Sequence, residues 1–240
     1  PPFTTSLLQQ QASTRLQFTA KKTMLIAQQL YEGIDIGAEG AVGLITYMRT
    51  DSFHISEQAI ASCRKLIAGS YGENYLPEKP NMHASDRKGT QGAHEAIRPT
   101  GVEYTPESIK NSLTKDQYRL YELIWNRFVA SQMKPALYAV KDVEIVTQFE
   151  TDSSIEVMAP PKQYLLKARG RELLFDGHTR VSGHEMEKDE QILPTLEKDQ
   201  KLEFIAVVPT QHFTQPPPRF TEASLVKTLE KMGIGRPSTY

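Results

Sequence analysis

The spacing of apolar residues changes after Pro135, and this change limits what the chain can fold into. Upstream of Pro135, apolar residues recur every three to four positions, most regularly over residues 114–132, as on one face of a helix. Downstream, apolar and polar residues alternate over residues 139–149, which is typical of a half-buried strand. The sequence therefore predicts an α+β chain, with a helical region followed by a β-rich region.

Shorter signals divide the helical region. Residues 4–31 have helical spacing and lead to Gly33, a predicted helix end. Residues 42–47 form a β-branched run that predicts a strand. Ser56 is a predicted helix N-cap. Residues 77–92 are polar and rich in Pro and Gly, so we predict a mobile loop there.

The β-rich region leads to a further helix. Three more short strands are predicted, at residues 155–158, 164–168 and 202–208. The stiff segment Pro216–Pro218 then leads to an amphipathic helix over residues 221–232, which Gly233 ends.

Composition excludes several classes of protein. Lys and Arg total 28 and Asp and Glu total 29, so the formal net charge of -1 gives no overall attraction to nucleic acid or to an anionic membrane. The single Cys rules out a disulfide framework or a four-cysteine zinc ribbon within these residues. No apolar run approaches the roughly 20 residues that span a bilayer, so we expect no membrane association. Walker, Gly-x-Gly-x-x-Gly and His-Glu-x-x-His motifs are absent, so we expect neither ATP use nor a metal site in these residues.

The two ends of the sequence suggest a part of a longer protein. The chain begins at Pro1 without a methionine, and it stops at Tyr240 just after Ser238, a predicted helix cap. We therefore expect further domains on both sides.

The densest motif is Gly43 to Ser52, in which Tyr47 ends a strand-like run and Arg49 follows two residues later. In an extended chain this spacing puts both side chains on the same side. A phenol, with an ordinary pKa of about 10, is a poor nucleophile at neutral pH. Attack on a phosphodiester therefore needs a nearby cation, and a guanidinium can both favour the phenolate and balance the charge of the transition state. Taken alone, a Tyr-x-Arg motif favours the alternative of a packing tyrosine and a surface cation.

A second motif, residues 91–100, contains His94, Glu95 and Arg98. If this segment is helical, the three side chains could share one turn. A His and an Arg together would bind a phosphate, and a His can carry a proton near neutral pH. An ordinary loop histidine is the alternative.

Other candidates are weaker. Basic residues flank the last helix and could reach a nucleic-acid backbone, with solvated surface charges as the alternative; they are Arg219, Lys227 and Arg236. Cys63 lies on the apolar face of its helix, which predicts a buried, unreactive thiol.

The first motif resembles the active-site signature of bacterial type IA DNA topoisomerases. It is the segment Gly-Leu-Ile-Thr-Tyr-Met-Arg-Thr-Asp-Ser at residues 43–52. Other segments agree with that family in order and spacing: residues 2–10, 23–24, 27–33, 93–99 and 219–239. Met48 further favours the topoisomerase I branch, because topoisomerase III and reverse gyrase relatives typically have Pro after the tyrosine.

The resemblance implies a reaction. Tyr47 would attack a phosphodiester of single-stranded DNA and form a 5′-phosphotyrosine link, while Arg49 holds the scissile phosphate. His94 matches a family position that contacts DNA phosphate near the nucleophile. Because the phosphotyrosine stores the broken bond, religation needs no ATP, and torsional strain in negatively supercoiled DNA drives strand passage. The other DNA-binding candidates are Arg98, Arg219 and Arg236.

The resemblance also implies an architecture, the arch of the family's toroid. Residues 7–133 would form a mainly helical, CAP- or winged-helix-like domain with the tyrosine, and residues 134–214 together with residues 1–6 would form a β-rich arch domain. Residues 215–240 would begin the next, DNA-binding domain. In the family, Mg²⁺ binds an N-terminal TOPRIM domain, and further domains follow at the C-terminus. We therefore expect Mg²⁺ outside this chain, no relaxation of DNA by this chain alone, and a place at the nucleoid in the bacterial cytoplasm.

Two alternatives to this interpretation differ in kind. A non-catalytic DNA-binding module on the same scaffold is disfavoured because both Tyr47 and Arg49 are present. A tyrosine recombinase or type IB topoisomerase needs an Arg-His-Arg set ahead of a tyrosine near the C-terminal end. Here Tyr47 precedes His94 and Arg98, which is the wrong order.

Overall fold

The computed structural model describes residues 1–37, 40–83, 94–148, 163–183, 192–206, 208–236 and 238–239. The chain divides into two units. The first, which we call the helical unit, consists of Pro1–Pro135, Gly177–Gly183 and Pro216–Tyr240. The second, the hairpin unit, consists of Ala136–Asp176 and His184–Gln215.

The helical unit is built from short and medium-length helices with one small pair of strands. In chain order the elements are α1 (Thr5–Gln11), a π-helical turn (Ala12–Leu16), α2 (Ala20–Glu32), β1 (Ile34–Asp35), β2 (Ala41–Val42), α3 (Glu57–Ser70), 3-10 turns at Glu73–Tyr75 and Lys110–Ser112, α4 (Lys115–Ser131), α5 (Thr179–Ser182) and α6 (Glu222–Lys231). β1 and β2 pair antiparallel. Within the described ranges, none of the helices has the length and apolar character that crossing a bilayer requires.

Hydroxyl side chains begin the longer helices where the sequence predicts them. The Ser56 side chain accepts a hydrogen bond from the Ala59 N–H at the start of α3. Thr114 forms a capping box with Gln117 at the start of α4, and Thr221 caps α6. Each cap satisfies an N–H group that has no partner inside the helix. The predicted helices at these positions are confirmed.

The core of the helical unit is organised around α4. Tyr121 is fully buried there, and its hydroxyl donates to the Tyr104 carbonyl at 2.6 Å, so the polar atom is satisfied. Other almost fully buried residues come from many parts of the chain; they include Phe3, Leu8, Leu30, Leu44, Ile45, Met48, Ile67, Ile97, Leu120, Ile124 and Phe128. The two motifs singled out in the sequence therefore lie directly on this core.

The hairpin unit contains one antiparallel pair of long strands. β3 (Leu137–Gln148) pairs with β4 (Gln163–Phe175) along its whole length, with one irregularity next to Leu137. The alternating pattern that begins at residue 139 and the short run at residues 164–168 both lie in these strands, so both strand predictions are confirmed for the described residues.

The grouping of two segments differs from the predicted domain limits. Phe3, which the domain prediction places with the β-rich region, is buried in the helical unit and forms an antiparallel bridge with Ile97. Pro216–Tyr240 also belongs to the helical unit, where α6 lies against α1. Both differences arise from long-range packing, which a local pattern does not encode.

Two strand predictions are corrected. The predicted strand over residues 42–47 is broken: β2 ends at Val42, and Ile45 forms only an isolated bridge with Pro99. Residues 202–206 and 208 have no regular secondary structure, and their exposed apolar side chains show that the pattern there does not reflect burial against a sheet. The predicted strand at 155–158, and residues 84–92 of the predicted loop, lie outside the described residues.

Candidate active site

Tyr47 and Arg49 lie on the same side of an extended segment. Both side chains are exposed, Tyr47 by 40%, whereas Met48 between them is fully buried and Thr50 after them is buried as well. Alternate residues of an extended chain point to opposite sides, as the spacing in the sequence predicts. The Tyr47 phenol and the Arg49 guanidinium therefore face the surface, while the segment between and after them packs against the core.

Thr46 joins this segment to the second motif. Its N–H donates to the Arg98 carbonyl at 2.9 Å, and its hydroxyl donates to the Ala96 carbonyl at 2.7 Å. The same hydroxyl accepts a hydrogen bond from the Arg98 N–H at 3.0 Å. Since Tyr47 is the next residue, its backbone begins at a point fixed by three hydrogen bonds.

Thr5 holds the other side of the segment. Its buried hydroxyl donates to the Met48 carbonyl at 2.7 Å and accepts from the Thr50 N–H at 2.9 Å. Its own N–H donates to the Thr50 carbonyl at 2.9 Å. One side chain thus fixes the backbone on both sides of Arg49. Sequence reasoning missed this role of Thr5, because the contact joins distant positions.

Two rings flank the Tyr47 phenol. The ring centroids of Tyr47 and Tyr31 are 5.4 Å apart, with an interplanar angle of 66°. The centroids of Tyr47 and His94 are 6.1 Å apart, with an angle of 35°. The structure therefore brings together three of the residues in the segments that carry the family resemblance. Tyr31 was part of those segments without an assigned role.

Close packing on the end of α2 brings Tyr31 to this place. The Leu44 N–H donates to the Leu30 carbonyl at 2.7 Å, which satisfies one of the last carbonyls of the helix. A Cβ atom on Gly43 would lie 2.7 Å from the Tyr31 carbonyl oxygen, closer than real Cβ atoms approach. Only glycine allows the segment to approach the helix this closely.

Arg49 lies at the edge of a cleft of about 900 Å³ within the helical unit. One N–H of its guanidinium donates to the Ser238 carbonyl at 3.2 Å. The cleft is lined mainly by residues of α2 and α6; they include Lys21, Met24, Leu25, Gln28, Leu225 and Leu229. Apolar side chains of both helices and the cations Lys21 and Arg49 line this concave surface, which adjoins the segment of the candidate nucleophile at Arg49.

The prediction that His94, Glu95 and Arg98 share a helical turn is wrong. Their segment is extended, because it forms bridges with Phe3 and Ile45 on either side. Glu95 and Arg98 nevertheless form an ion pair. The Arg98 side chain is only 11% exposed, so its guanidinium faces the protein.

The two remaining predicted DNA contacts lie in the C-terminal segment. Arg236 is exposed, and its N–H donates to the Thr239 hydroxyl at 2.8 Å in the turn that also presents the Ser238 carbonyl to Arg49. Arg219 is exposed ahead of α6 and does not line the cleft in the part of the chain that the structure describes. The structure therefore brings Arg236, but not Arg219, toward the candidate active site.

The described residues do not fit a metal ion. Among them, no group of three or more His, Cys, Asp or Glu side chains could hold one. Mg²⁺ takes oxygen ligands, usually with carboxylates among them.

Comparisons with known proteins identify the family of the chain. The family model described as DNA topoisomerase matches residues 1–240, so the chain belongs to that family. The relatives named below are bacterial proteins called DNA topoisomerase 1, in line with the resemblance to the topoisomerase I branch of the type IA family. The chain is 51% identical to DNA topoisomerase 1 of Rickettsia conorii and 48% identical to that of Rickettsia bellii, in each case over 100% of this chain. The chain spans about 30% of the length of these relatives.

A solved structure is also similar. It is full-length topoisomerase I from Thermotoga maritima, which is 40% identical with a TM-score of 0.74. The match covers 100% of this chain and 36% of that chain. The fold, with its mixture of helices and strands, is thus that of part of a topoisomerase I.

Proposed function

We propose that this chain carries the nucleophile of an ATP-independent type IA DNA topoisomerase, which relaxes negatively supercoiled DNA by cutting one strand and passing DNA through the break. One observation carries the proposal. Tyr47 and Arg49 project together from a surface segment whose backbone Thr46 and Thr5 hold on the core. An exposed phenol beside an exposed guanidinium is what attack on a phosphodiester requires.

The proposed reaction is a transesterification. The Tyr47 phenol oxygen attacks the phosphorus of a DNA phosphodiester and forms a P–O bond. The bond from phosphorus to the 3′ oxygen breaks, the phenol gives up its proton, and the leaving 3′ oxygen gains one. The products are a 5′-phosphotyrosine and a free 3′ hydroxyl. Because one phosphodiester replaces another, the reverse reaction reseals the strand without ATP.

Arg49 and His94 have separate roles in this proposal. A guanidinium has five N–H donors, and the contact with Ser238 uses one of them. Arg49 therefore retains donors for the oxygens of the scissile phosphate, whose charge grows in the transition state. His94, whose ring centroid is 6.1 Å from that of Tyr47, contacts a DNA phosphate near the nucleophile.

We also propose DNA contacts along the C-terminal segment. Arg236 lies in the turn next to Arg49, and a cation there favours the phosphate backbone. Arg219 is exposed and contributes a more distant backbone contact. Arg98 faces the protein, so its contribution to DNA binding is made through the segment that it supports.

The remaining parts of the proposal lie beyond this chain. We propose that Mg²⁺ is bound by a TOPRIM domain of the same polypeptide. We propose that residues 7–133 are the CAP-like domain with the nucleophile, and that residues 134–214 with residues 1–6 are the arch. Residues 215–240 begin the next domain, although they and residues 1–6 pack in the helical unit. The DNA substrate places the protein at the nucleoid.

The decisive experiment traps the covalent intermediate. The chain is mixed with a separately produced TOPRIM portion, Mg²⁺ and single-stranded DNA labelled at its 3′ end, and the reaction is stopped with denaturant. We expect the DNA label to become covalently attached to this chain. The attachment should be lost in Tyr47→Phe and retained in Tyr31→Phe. Tyr31 is the matched control, because it is also an exposed tyrosine and its ring centroid is 5.4 Å from that of Tyr47.

The other outcomes identify the alternatives. If the pieces associate and bind DNA but no adduct forms, the chain is a non-catalytic DNA-binding module on this scaffold. If Tyr31→Phe, and not Tyr47→Phe, abolishes the adduct, the nucleophile has been assigned to the wrong tyrosine. The chain alone should not relax supercoiled DNA with Mg²⁺, and robust relaxation would contradict the divided active site.

A further inference from the structure

We propose that Glu95 is a positioning residue: through Ser56 and Arg98 it fixes the segment that carries His94 against the segment that carries Tyr47. The inference rests on the proposed function, because it assigns Glu95 a part in setting the distance between two groups of that site. It starts from a partly buried ion pair, between Glu95 and Arg98, that the reaction itself does not use.

The Glu95 carboxylate completes the cap of α3. The Ser56 side chain caps the Ala59 N–H, as in the first half of a capping box. The second half needs a Glu or Gln side chain three residues after Ser56, and Ala59 cannot provide one. Glu95 does so instead, since its Oε1 accepts the Ser56 N–H at 2.7 Å. A carboxylate is also favourable at the positive end of the helix dipole.

The second carboxylate oxygen binds Arg98. The Arg98 guanidinium donates to Glu95 Oε2, to the Pro99 carbonyl at 2.9 Å, and to the Ser56 hydroxyl at 3.4 Å. The side chains of Arg98 and Glu95 are 11% and 25% exposed. Removing one partner of such a pair leaves the other charge uncompensated in a region of low dielectric. The pair therefore joins the start of α3 to both ends of residues 95–99.

This network is adjacent to His94, which precedes Glu95 directly. It also reaches Thr46, the residue before Tyr47, through the backbone of the same segment. Thr46 donates to the Arg98 and Ala96 carbonyls and accepts from the Arg98 N–H. If Glu95 releases Ser56 and Arg98, the segment keeps the Thr46 contacts and the hydrogen bond from the Ala96 N–H to the His54 carbonyl at 2.8 Å. Residues 94 and 95, which precede that bond, lose their attachment to the start of α3. The distance between the His94 and Tyr47 rings is then no longer fixed at its His94 end.

The same geometry makes Glu95 a positioning residue and not a catalytic one. Its two oxygens face the Ser56 N–H and the Arg98 guanidinium. A carboxylate occupied in this way does not reach the phosphate or the phenol. Its effect on the reaction must pass through the residues that it holds.

Glu95→Gln tests this role with little change in size. A glutamine amide has one accepting oxygen and one donating nitrogen, whereas the Ser56 N–H and the Arg98 guanidinium are both donors. One of the two contacts is therefore replaced by two donors facing each other. Glu107→Gln is the matched control, because Glu107 also pairs with a cation three residues later, Lys110, but on the surface, with 72% and 55% exposure.

Two measurements separate positioning from folding and from DNA binding. In the 240-residue chain, we expect the nuclear Overhauser contact between the Tyr47 and His94 ring protons to disappear in Glu95→Gln and to persist in Glu107→Gln. In the trapping assay with the TOPRIM portion, the rate of adduct formation should fall about 10- to 100-fold, as for a displacement of about 1 Å. The Kd for the oligonucleotide should rise by less than about tenfold, since His94 is one of several phosphate contacts, and at saturating DNA the rate of the chemical step should still fall.

If Glu95→Gln keeps either the ring contact or the rate, the proposal is overturned. If Glu95→Gln does not fold, as judged by Trp125 fluorescence, Arg98→Lys replaces it. Lysine keeps the positive charge but lacks the planar fork of N–H donors that a guanidinium has. Arg98→Lys must then weaken the ring contact and lower the rate of adduct formation, both to a smaller extent. If both variants unfold, the pair is part of the core and the proposal is wrong. If wild-type chain forms no adduct, the proposed function fails, while the ring contact still tests the role of Glu95.

Discussion

Gly43→Ala tests whether close packing on α2 determines where the Tyr47 segment lies. A Cβ atom at Gly43 would be 2.7 Å from the Tyr31 carbonyl oxygen, whereas ordinary Cβ contacts begin at 3.4 Å. The two backbones must therefore separate by about 0.7 Å, the difference between these distances. The obstacle is a backbone atom of a helix and not the end of a flexible side chain.

The expected loss of stability follows from two contacts. Adding a methyl group to a packed site costs about 1–3 kcal/mol. The separation also stretches the hydrogen bond from the Leu44 N–H to the Leu30 carbonyl, which is 2.7 Å long and is worth about 1 kcal/mol. We expect the free energy of unfolding of the helical unit to fall by about 2–4 kcal/mol in Gly43→Ala, the sum of the two contributions.

Urea unfolding followed by Trp125 fluorescence measures this quantity. Trp125 is the only tryptophan, and it is 6% exposed in α4, so its emission reports the helical unit. Gly69→Ala is the matched control: Gly69 is an exposed residue of α3 with no atom within 4 Å of the added Cβ. It should be stabilising by up to about 1 kcal/mol through helix propensity. A loss below about 0.5 kcal/mol in Gly43→Ala, beside a stabilised Gly69→Ala, would refute the packing argument.

Three other predictions concern the same unit. Glu222→Ala should lower the free energy of unfolding by about 0.5–1 kcal/mol, because the Glu222 carboxylate accepts a hydrogen bond from the Ala20 N–H at the start of α2 (2.6 Å). Glu222→Gln keeps an accepting oxygen and should retain most of that stability. Equal stability of all three proteins in urea would contradict this prediction. Burial raises the pKa of the Cys63 thiol to about 12. A disulfide reagent at about pH 8 should therefore label the chain only after it is unfolded in urea. Prompt labelling of the folded chain would contradict this, because it would show that the thiol is accessible. Burial, and secondarily the charge of Arg127, lowers the pKa of His178 below 6.5. As the pH falls, this histidine is protonated in the unfolded chain before it is protonated in the folded chain, so the free energy of unfolding should decrease below about pH 6.5. If the free energy of unfolding of His178→Gln decreases equally steeply with pH, His178 is not the cause.

The starts of the helices can be predicted from the sequence because their causes are local. Ser56, Thr114 and Thr221 each cap a helix through contacts that span three residues. The same is true of the alternation that defines β3. In each of these cases the residues that decide the structure lie within a few positions of one another, so a short window of sequence contains the whole cause.

The form of the second motif could not be predicted in this way. His94, Glu95 and Arg98 have a spacing that suits a helical turn, yet the segment is extended. Its conformation is decided by bridges to Phe3 and Ile45, which are far away in the sequence. Tertiary pairing outweighs local spacing here, because each bridge brings buried apolar side chains into the core. The grouping of Pro216–Tyr240 with the helical unit has the same kind of cause.

The candidate nucleophile illustrates why the site is harder to predict than the motif. A phenol that must reach DNA has to be exposed, so the Tyr47 side chain cannot be held by burial of its own surface. Its position must come from its neighbours: Met48 is buried, Thr46 is bonded to the second motif, and Thr5 fixes the backbone beyond. The motif predicts the identity of the reacting groups. Their geometry depends on buried residues that do not react, and these are recognised only once the distant segments are seen together.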